Sequence, residues 1–354
     1  MPNNGEAAPI RVLLVEDSPL QLHIIKSVLD ADAHIEVVGT AMNGAEALNL
    51  LPVVRPDVIC TDYHMPVMDG LEFIQKAVKI YPCPILVLSI SVQPDQVDNI
   101  FKLLSAGAID VMPKPRATGG IIGKEDGLKL VERIRIINGV KYIPRKKGQP
   151  IPPPSAKCLI PRLVLPKIIV MGASTGGPQA FEVILSGLKN HFSIPIVCIQ
   201  HISHGFLAGM LTWLRGICPL IIETATEGGF PMPGHIYFPP DGMHLTFSNN
   251  GAFVICPPNL DDMYCPSIDK LFHSTAEVYG NSAVAVILSG MGRDGANGMK
   301  TIFDAGGDTV AQDEDSSIIF GMPAVAINLG VICNVLSANE IAPYLNDLPG
   351  NISP

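Results

Sequence analysis

Three polar residues stand where short apolar runs end: Ser174 after Lys167–Gly172, His201 after Ile196–Gln200, and Asp294 after Ala283–Ser289. A hydroxyl, an imidazole and a carboxylate in that order are the parts of an activated nucleophile: the serine attacks, the histidine takes its proton, and the acid orients the imidazole through its Nδ1–H. The segment Met171-Gly172-Ala173-Ser174-Thr175-Gly176-Gly177-Pro178 reads as a buried strand turning sharply into a helix, with Pro178 near the first turn. A serine on such a turn projects past the carboxyl edge of the sheet. Backbone N–H groups near Thr175 and Met291 are the expected donors to a developing oxyanion.

Other readings of these residues weigh less. Gly172, Gly176 and Gly177 imitate a dinucleotide fingerprint, but the next strand ends in Gln200 and His201 where an acid should hold the ribose. A plain helix cap accounts for Ser174 alone, not for His201 and Asp294. His201 and His204 form a loose metal pair without a clear third ligand. Gly172-Ala173-Ser174-Thr175-Gly176 also satisfies the α/β-hydrolase elbow, yet that fold orders its triad serine, acid, histidine, and no histidine follows Asp294.

A second group lies nearer the N-terminus. Glu16 and Asp17 follow the apolar run Ile10–Val15, Asp62 ends Asp57–Asp62, Ser89 ends Ile85–Ser89, and Lys114 follows Ile109–Met112. Glu16, Asp17 and Asp62 suit a magnesium ion, which takes oxygen ligands and keeps some water. Ser89 and Lys114 would then hold phosphoryl oxygens.

The elements that must position both groups alternate strand and helix. Helices are expected near Leu20–Leu29, Ala45–Leu51, Gly127–Ile137, Pro178–Leu185 and Ile268–Tyr279, which makes the fold class α/β with two doubly wound parallel-sheet domains. Between Gly234 and Ile255 the pattern instead reads strand, turn, strand, with Asn249-Asn250-Gly251 turning an inserted antiparallel hairpin. At 354 residues the chain exceeds the size at which single cores stop growing. Prolines crowd Pro144–Pro154, so 139–165 is expected to be a semi-extended linker, and Arg145, Lys146 and Lys147 a solvated run within it. A net charge of −9 and a pI near 5.4 disfavour nucleic acid and anionic membrane as partners. With no spanning apolar run and no signal-peptide pattern, a cytoplasmic protein is expected, its eight cysteines reduced.

Residues 8–138 resemble a response-regulator receiver domain. The resemblance implies that Asp62 accepts a phosphoryl group from a histidine kinase, with Mg2+ held by Glu16, Asp17 and Asp62, and Ser89 and Lys114 forming the switch. Ile90 stands where the family usually has a small residue, and Val111 and Met112 precede Lys114 without the usual aromatic. Residues 166–346, with Gly172–Pro178, Gln200-His201, Gly290-Met291-Gly292-Arg293-Asp294-Gly295 and Gly321-Met322-Pro323, resemble the catalytic domain of chemotaxis protein-glutamate methylesterases.

That second resemblance implies that Ser174 is the nucleophile, His201 the general base and Asp294 the orienting acid. The implied substrates are glutamate methyl esters, and glutamines for deamidation, on methyl-accepting chemoreceptors. Tyr264-Cys265 stands where the family usually shows His-Arg, which implies different handling of acidic receptor segments. The unphosphorylated receiver is expected to cover the cleft around Ser174 and His201. An esterase-like module with another target, or one serving only as an interaction protein, is the alternative, and a DNA-binding output would need a basic helix-turn-helix that the pattern lacks.

Overall fold

The structure is a computed structural model that describes residues 8–89, 101–115, 117–118, 121–138 and 164–351. Ile90 and the expected linker residues 139–163 lie outside that set. The chain divides into two compact units, Met1–Pro144 and Arg145–Pro354.

In the first unit, β1 (Ile10–Val15), β2 (Ile35–Ala41), β3 (Val58–Asp62), β4 (Ile85–Ser89) and β5 (Asp110–Pro113) form a parallel sheet in the order β2-β1-β3-β4-β5. The central strands β3 and β4 are buried along their whole length, as inner strands of a parallel sheet are, with polar residues only at their carboxyl ends. The helices Pro19–Asp30, Gly44–Val54 and Gly70–Ile80 begin at Ser18, Asn43 and Asp69, whose side chains accept from Gln21, Glu46 and Glu72 N–H groups. A two-residue pair, β6 (Ala117–Thr118) and β7 (Ile121–Ile122), precedes the helix Lys124–Asn138.

The second unit carries β8 (Ile168–Ala173), β9 (Ile196–Gln200), β10 (Ile221–Thr224), β11 (His235–Phe238), β12 (His244–Phe247), β13 (Phe253–Cys256), β14 (Ala283–Ile287), β15 (Asp308–Gln312) and β16 (Asn334–Leu336). Seven of them form a parallel sheet ordered β10-β11-β9-β8-β14-β15-β16. The expected hairpin exists as β12 and β13, paired antiparallel, but it forms a separate two-stranded sheet. The strand before it, β11, joins the parallel sheet between β10 and β9. The hairpin buries Leu245, Phe247 and Phe253 with Ile268, Leu271 and Phe272 of the helix Ile268–Tyr279, and Phe247 N–H donates to Ser274 Oγ at 3.1 Å. Its role is to hold that helix against the sheet edge.

One cysteine departs from expectation. Cys60, Cys83, Cys198, Cys218, Cys256 and Cys265 are free thiols, while Cys333 is disulfide-bonded.

Candidate functional site

The three residues of the expected triad come from three contiguous strands, with β8 between β9 and β14. Ala173 is the register partner of Gln200 and Gly172 that of Ile287, so the residues beyond these pairs emerge together at the carboxyl edge. Ser174 follows β8 directly, and His201 follows β9 with its N–H on Ala173 O at 2.9 Å. The turn between β8 and the helix Gly177–Ser186 needs a left-handed residue, supplied by Gly176 at φ +80°. Ser174 N–H donates to Ser289 O at 3.0 Å, which ties the serine's backbone to the segment after β14. The side chain is buried, 8% exposed, and lies against Gly290, where an added Cβ would come 2.7 Å from Ser174 Cβ. Met291 is therefore the next residue along from the wall of the serine's pocket, and Thr175 follows the serine itself.

His201 Nε2 pairs with Asp294 Oδ2 at 2.9 Å. That differs from the expected use of Nδ1: it is Nε2 that meets the acid. Asp294 is 4% exposed and also accepts from Ser267 Oγ at 3.1 Å, Ile268 N at 2.8 Å, Asp269 N at 2.9 Å and Gly295 N at 3.1 Å. The acid thus sits on the N-terminus of the helix Ile268–Tyr279, where orphan N–H groups and the helix dipole favour a negative charge. Burial alone would raise its pKa, but the bonds from His201, Asp269 and Ile268 prevail and hold it below the ordinary carboxylate value. Gly172 lets the helix approach so closely, since a Cβ there would lie 2.4 Å from Ile268 Cγ2.

Several contributors escaped the sequence reading. Gln200 Nε2 donates to Ser174 O and His201 O, both at 2.8 Å, locking the two strand ends together. Ser289 Oγ donates to Thr175 O at 2.8 Å and accepts from Ile319 N at 2.9 Å. The ring of Tyr264 lies flat on that of His201. His204 is not brought into a metal pair with His201, because its Nδ1 meets Asp241 Oδ2 at 3.0 Å while His201 meets Asp294.

In the first unit, ligand atoms of Glu16, Asp17 and Asp62 all lie within 4.8 Å of one another at the carboxyl edge of the sheet. Lys114 Nζ pairs with Glu16 Oε2 at 2.6 Å and Asp62 Oδ2 at 2.7 Å, and all three side chains are almost wholly buried. Burial raises the pKa of Glu16, the Lys114 bond opposes that shift, and the Asp62 charge adds to it. Ser89 ends β4 beside them, 6% exposed. Three carboxylates clustered this closely are the oxygen donors that a hard cation takes.

The two units match two different family models: residues 12–124 that of the response regulator receiver domain, and residues 169–345 that of the CheB methylesterase. A protein-glutamate methylesterase/protein-glutamine glutaminase of Nitrosospira multiformis is 38% identical over 343 residues, 96% of this chain and 97% of that one. The chain belongs to the CheB methylesterase family. A second member, from Syntrophus aciditrophicus and named protein-glutamate methylesterase/protein-glutamine glutaminase 1, is 35% identical over 98% of this chain and the whole of its own. The crystal structure of the Thermotoga maritima CheB methylesterase catalytic domain is 34% identical, covers 51% of this chain and 98% of that chain, and has a TM-score of 0.49.

Proposed function

We propose that this chain is a phosphorylation-regulated chemotaxis methylesterase that hydrolyses glutamate methyl esters, and deamidates glutamines, on methyl-accepting chemoreceptors in the cytoplasm. The observation that carries the reading is the arrangement of His201. Its Nε2 is held by Asp294 at 2.9 Å, and Ser174 follows the neighbouring strand, whose last residue Ala173 is in register with Gln200. Ser174 Oγ attacks the side-chain carbonyl and its proton passes to His201 Nδ1, while the ionised Asp294 supports the imidazolium through Nε2. The N–H groups of Thr175 and Met291 receive the oxyanion. As the C–O bond breaks, His201 returns the proton to departing methoxide, giving methanol and an acyl-serine. Water, deprotonated by His201, then frees the glutamate and restores Ser174. An amide follows the same course with ammonia leaving.

In the receiver, Asp62 takes the phosphoryl group from a histidine kinase, and Glu16, Asp17 and Asp62 would hold Mg2+. The ion would neutralise phosphoryl charge during transfer. Lys114, which pairs with both Glu16 and Asp62, would pair with a phosphoryl oxygen, and Ser89 would donate to another. Residues 8–138 act as the receiver and 166–346 as the esterase, with 139–165 as the linker.

The test is methanol release from methylated receptor by purified protein. Ser174→Ala should lower turnover by several orders of magnitude, as loss of a triad serine does elsewhere. Release from that variant at the wild-type rate would overturn the reading.

A further inference from the structure

The geometry points to Tyr264 as a positioning residue for His201, a role that rests on the reading of His201 as the general base. The two rings lie face to face, with centroids 4.9 Å apart and planes 2° from parallel. The sequence singled out Tyr264-Cys265 as a departure bearing on substrate binding, yet the tyrosine ring is laid against the imidazole. Its hydroxyl reaches Gly292, where an added Cβ would come 2.9 Å from the oxygen, so the phenol spans from the imidazole to the loop that carries Asp294.

The segment bearing Tyr264 is tied down on both sides. Asp262 accepts from Lys270 Nζ at 2.6 Å, from Asn259 N at 2.8 Å and from His244 Nε2 at 2.9 Å. Cys265 Sγ donates to Gly242 O at 3.2 Å, and Ser267 N donates to His244 Nδ1 at 3.1 Å. His244 is wholly buried and uses both ring nitrogens in this anchor. A ring mounted on such a segment is a fixed wall.

A fixed wall answers a specific weakness of the site. The bond from Nε2 to Asp294 sets one point of the imidazole but leaves rotation about it, and a half turn about Cβ–Cγ would present carbon where Nδ1 should face the serine. A parallel ring on one face obstructs both motions without using a hydrogen bond. It also acts when the proton moves, because the imidazolium then lies against an electron-rich aromatic face, a contact of the cation–π kind. That attraction is stronger for the charged ring than for the neutral one, so it favours the state in which His201 holds the proton. The expected signature is a loss in kcat with KM unmoved.

The experiment compares Tyr264→Leu and Tyr264→Phe with wild-type full-length protein and with Ser174→Ala. One-dimensional and 1H–13C NMR read the imidazole C–H resonances of His201, identified by their loss in His201→Gln. Tyr264→Leu should lower kcat about tenfold while KM changes less than twofold, and the His201 resonances should lose their upfield ring-current displacement. Tyr264→Phe, which keeps the ring and lacks the hydroxyl, should recover most of the lost turnover and the displacement. A Tyr264→Leu enzyme with wild-type kcat overturns the proposal, and so does one whose KM rises while kcat holds, since the tyrosine would then be a substrate contact. If Ser174→Ala is itself fully active, the reading of the site fails first. An inactive Ser174→Ala beside a fully active Tyr264→Leu removes this proposal alone.

Discussion

Asp294 and Asp269 each accept the opening N–H groups of the other's helix. Asp294, just before the helix Ala296–Asp304, takes Ile268 N and Asp269 N at 2.8 and 2.9 Å, and Asp269, second in its own helix, takes Gly298 N at 2.7 Å. The exchange fixes the angle between two helices and, with it, the carboxylate that meets His201. Burial raises the pKa of Asp269, the bond from Gly298 N opposes that shift, and the charge of Asp294 adds to it.

Asp294→Asn should therefore be severe in rate and mild in fold. An amide keeps only one accepting oxygen for the helix N–H groups and cannot support an imidazolium, and loss of the corresponding acid costs on the order of 10⁴ in kcat in a serine triad. Circular dichroism should stay unchanged while methanol release falls. Asp269→Ala should do the converse, losing about 1 kcal/mol of stability through the missing cap, with a smaller fall in kcat.

The lowered pKa of Asp294 gives a pH dependence of definite sign. Its folded value lies below the unfolded one of about 3.9, so the unfolded state binds the proton more readily there. The stabilisation it contributes is present above the unfolded pKa and is lost as pH falls through the folded pKa. Urea midpoints of wild type and Asp294→Asn should differ most near pH 6 and converge as the pH is taken below 3.9. A gap that widens in acid would contradict the assignment.

Gly177→Ala tests the brace behind the nucleophile. A Cβ at this position would come 2.0 Å from Gln200 Oε1 and 2.7 Å from Ala173 Cβ, so the glutamine must move. Gln200 ties Ser174 O to His201 O, and its displacement loosens both strand ends. Overpacking of this kind costs about 1–3 kcal/mol. The melting temperature should fall and kcat with it, and Gly177→Ala combined with Gln200→Ala should recover part of the stability.

The strands bearing the reactive residues were legible in the sequence because parallel strands covered on both faces must be apolar throughout, and a polar residue then marks their end. Asp62, Ser174 and His201 were found in that way. The edge strand β10, Ile221-Ile222-Glu223-Thr224, is exposed at both ends and carries no such signal. Residue type also does not say which imidazole nitrogen faces the acid, and the expected Nδ1 proved to be Nε2. The supporting contacts that sequence reasoning missed, those of Gln200, Ser267, Asp269 and Tyr264, join elements remote in the chain. Asp269, for example, meets Gly298 N where a Cβ on Gly298 would come 2.4 Å from Phe272 Cβ, so the glycine lets the two helices approach.

Lys114 separates two buried carboxylates in the receiver. Removing it leaves Glu16 and Asp62 facing each other without a cation, and breaking a buried pair in this way costs about 3–5 kcal/mol. Lys114→Ala should melt well below wild type in EDTA and gain more than wild type from added MgCl2, because the ion would supply the missing positive charge. Asp62→Asn should fail to incorporate acid-labile phosphate from a small phosphodonor, with or without Mg2+. Equal Mg2+ stabilisation of wild type and Lys114→Ala would place the cation elsewhere.

The last prediction concerns what phosphorylation changes in the esterase. The unit beginning at Arg145 contains Ser174, His201 and Asp294 with every bond partner described for them, so a fragment starting near Pro161 should retain the catalytic geometry. The carboxylate cluster of Glu16, Asp17 and Asp62, where phosphorylation is proposed, lies in the other unit. If the receiver inhibits by covering the cleft, as the sequence led us to expect, a phosphoryl group need only tilt an equilibrium. It adds nearly two negative charges beside Ser89 and Lys114, and each 1.4 kcal/mol it shifts changes the closed-to-open ratio tenfold. Methanol release by the full chain should then rise on adding phosphodonor and Mg2+, and Asp62→Asn should abolish the rise. The fragment should match the phosphorylated full chain and ignore the phosphodonor. A fragment no faster than the unphosphorylated full chain would mean that the receiver activates directly or localises the enzyme, since removing an inhibitor must raise the rate.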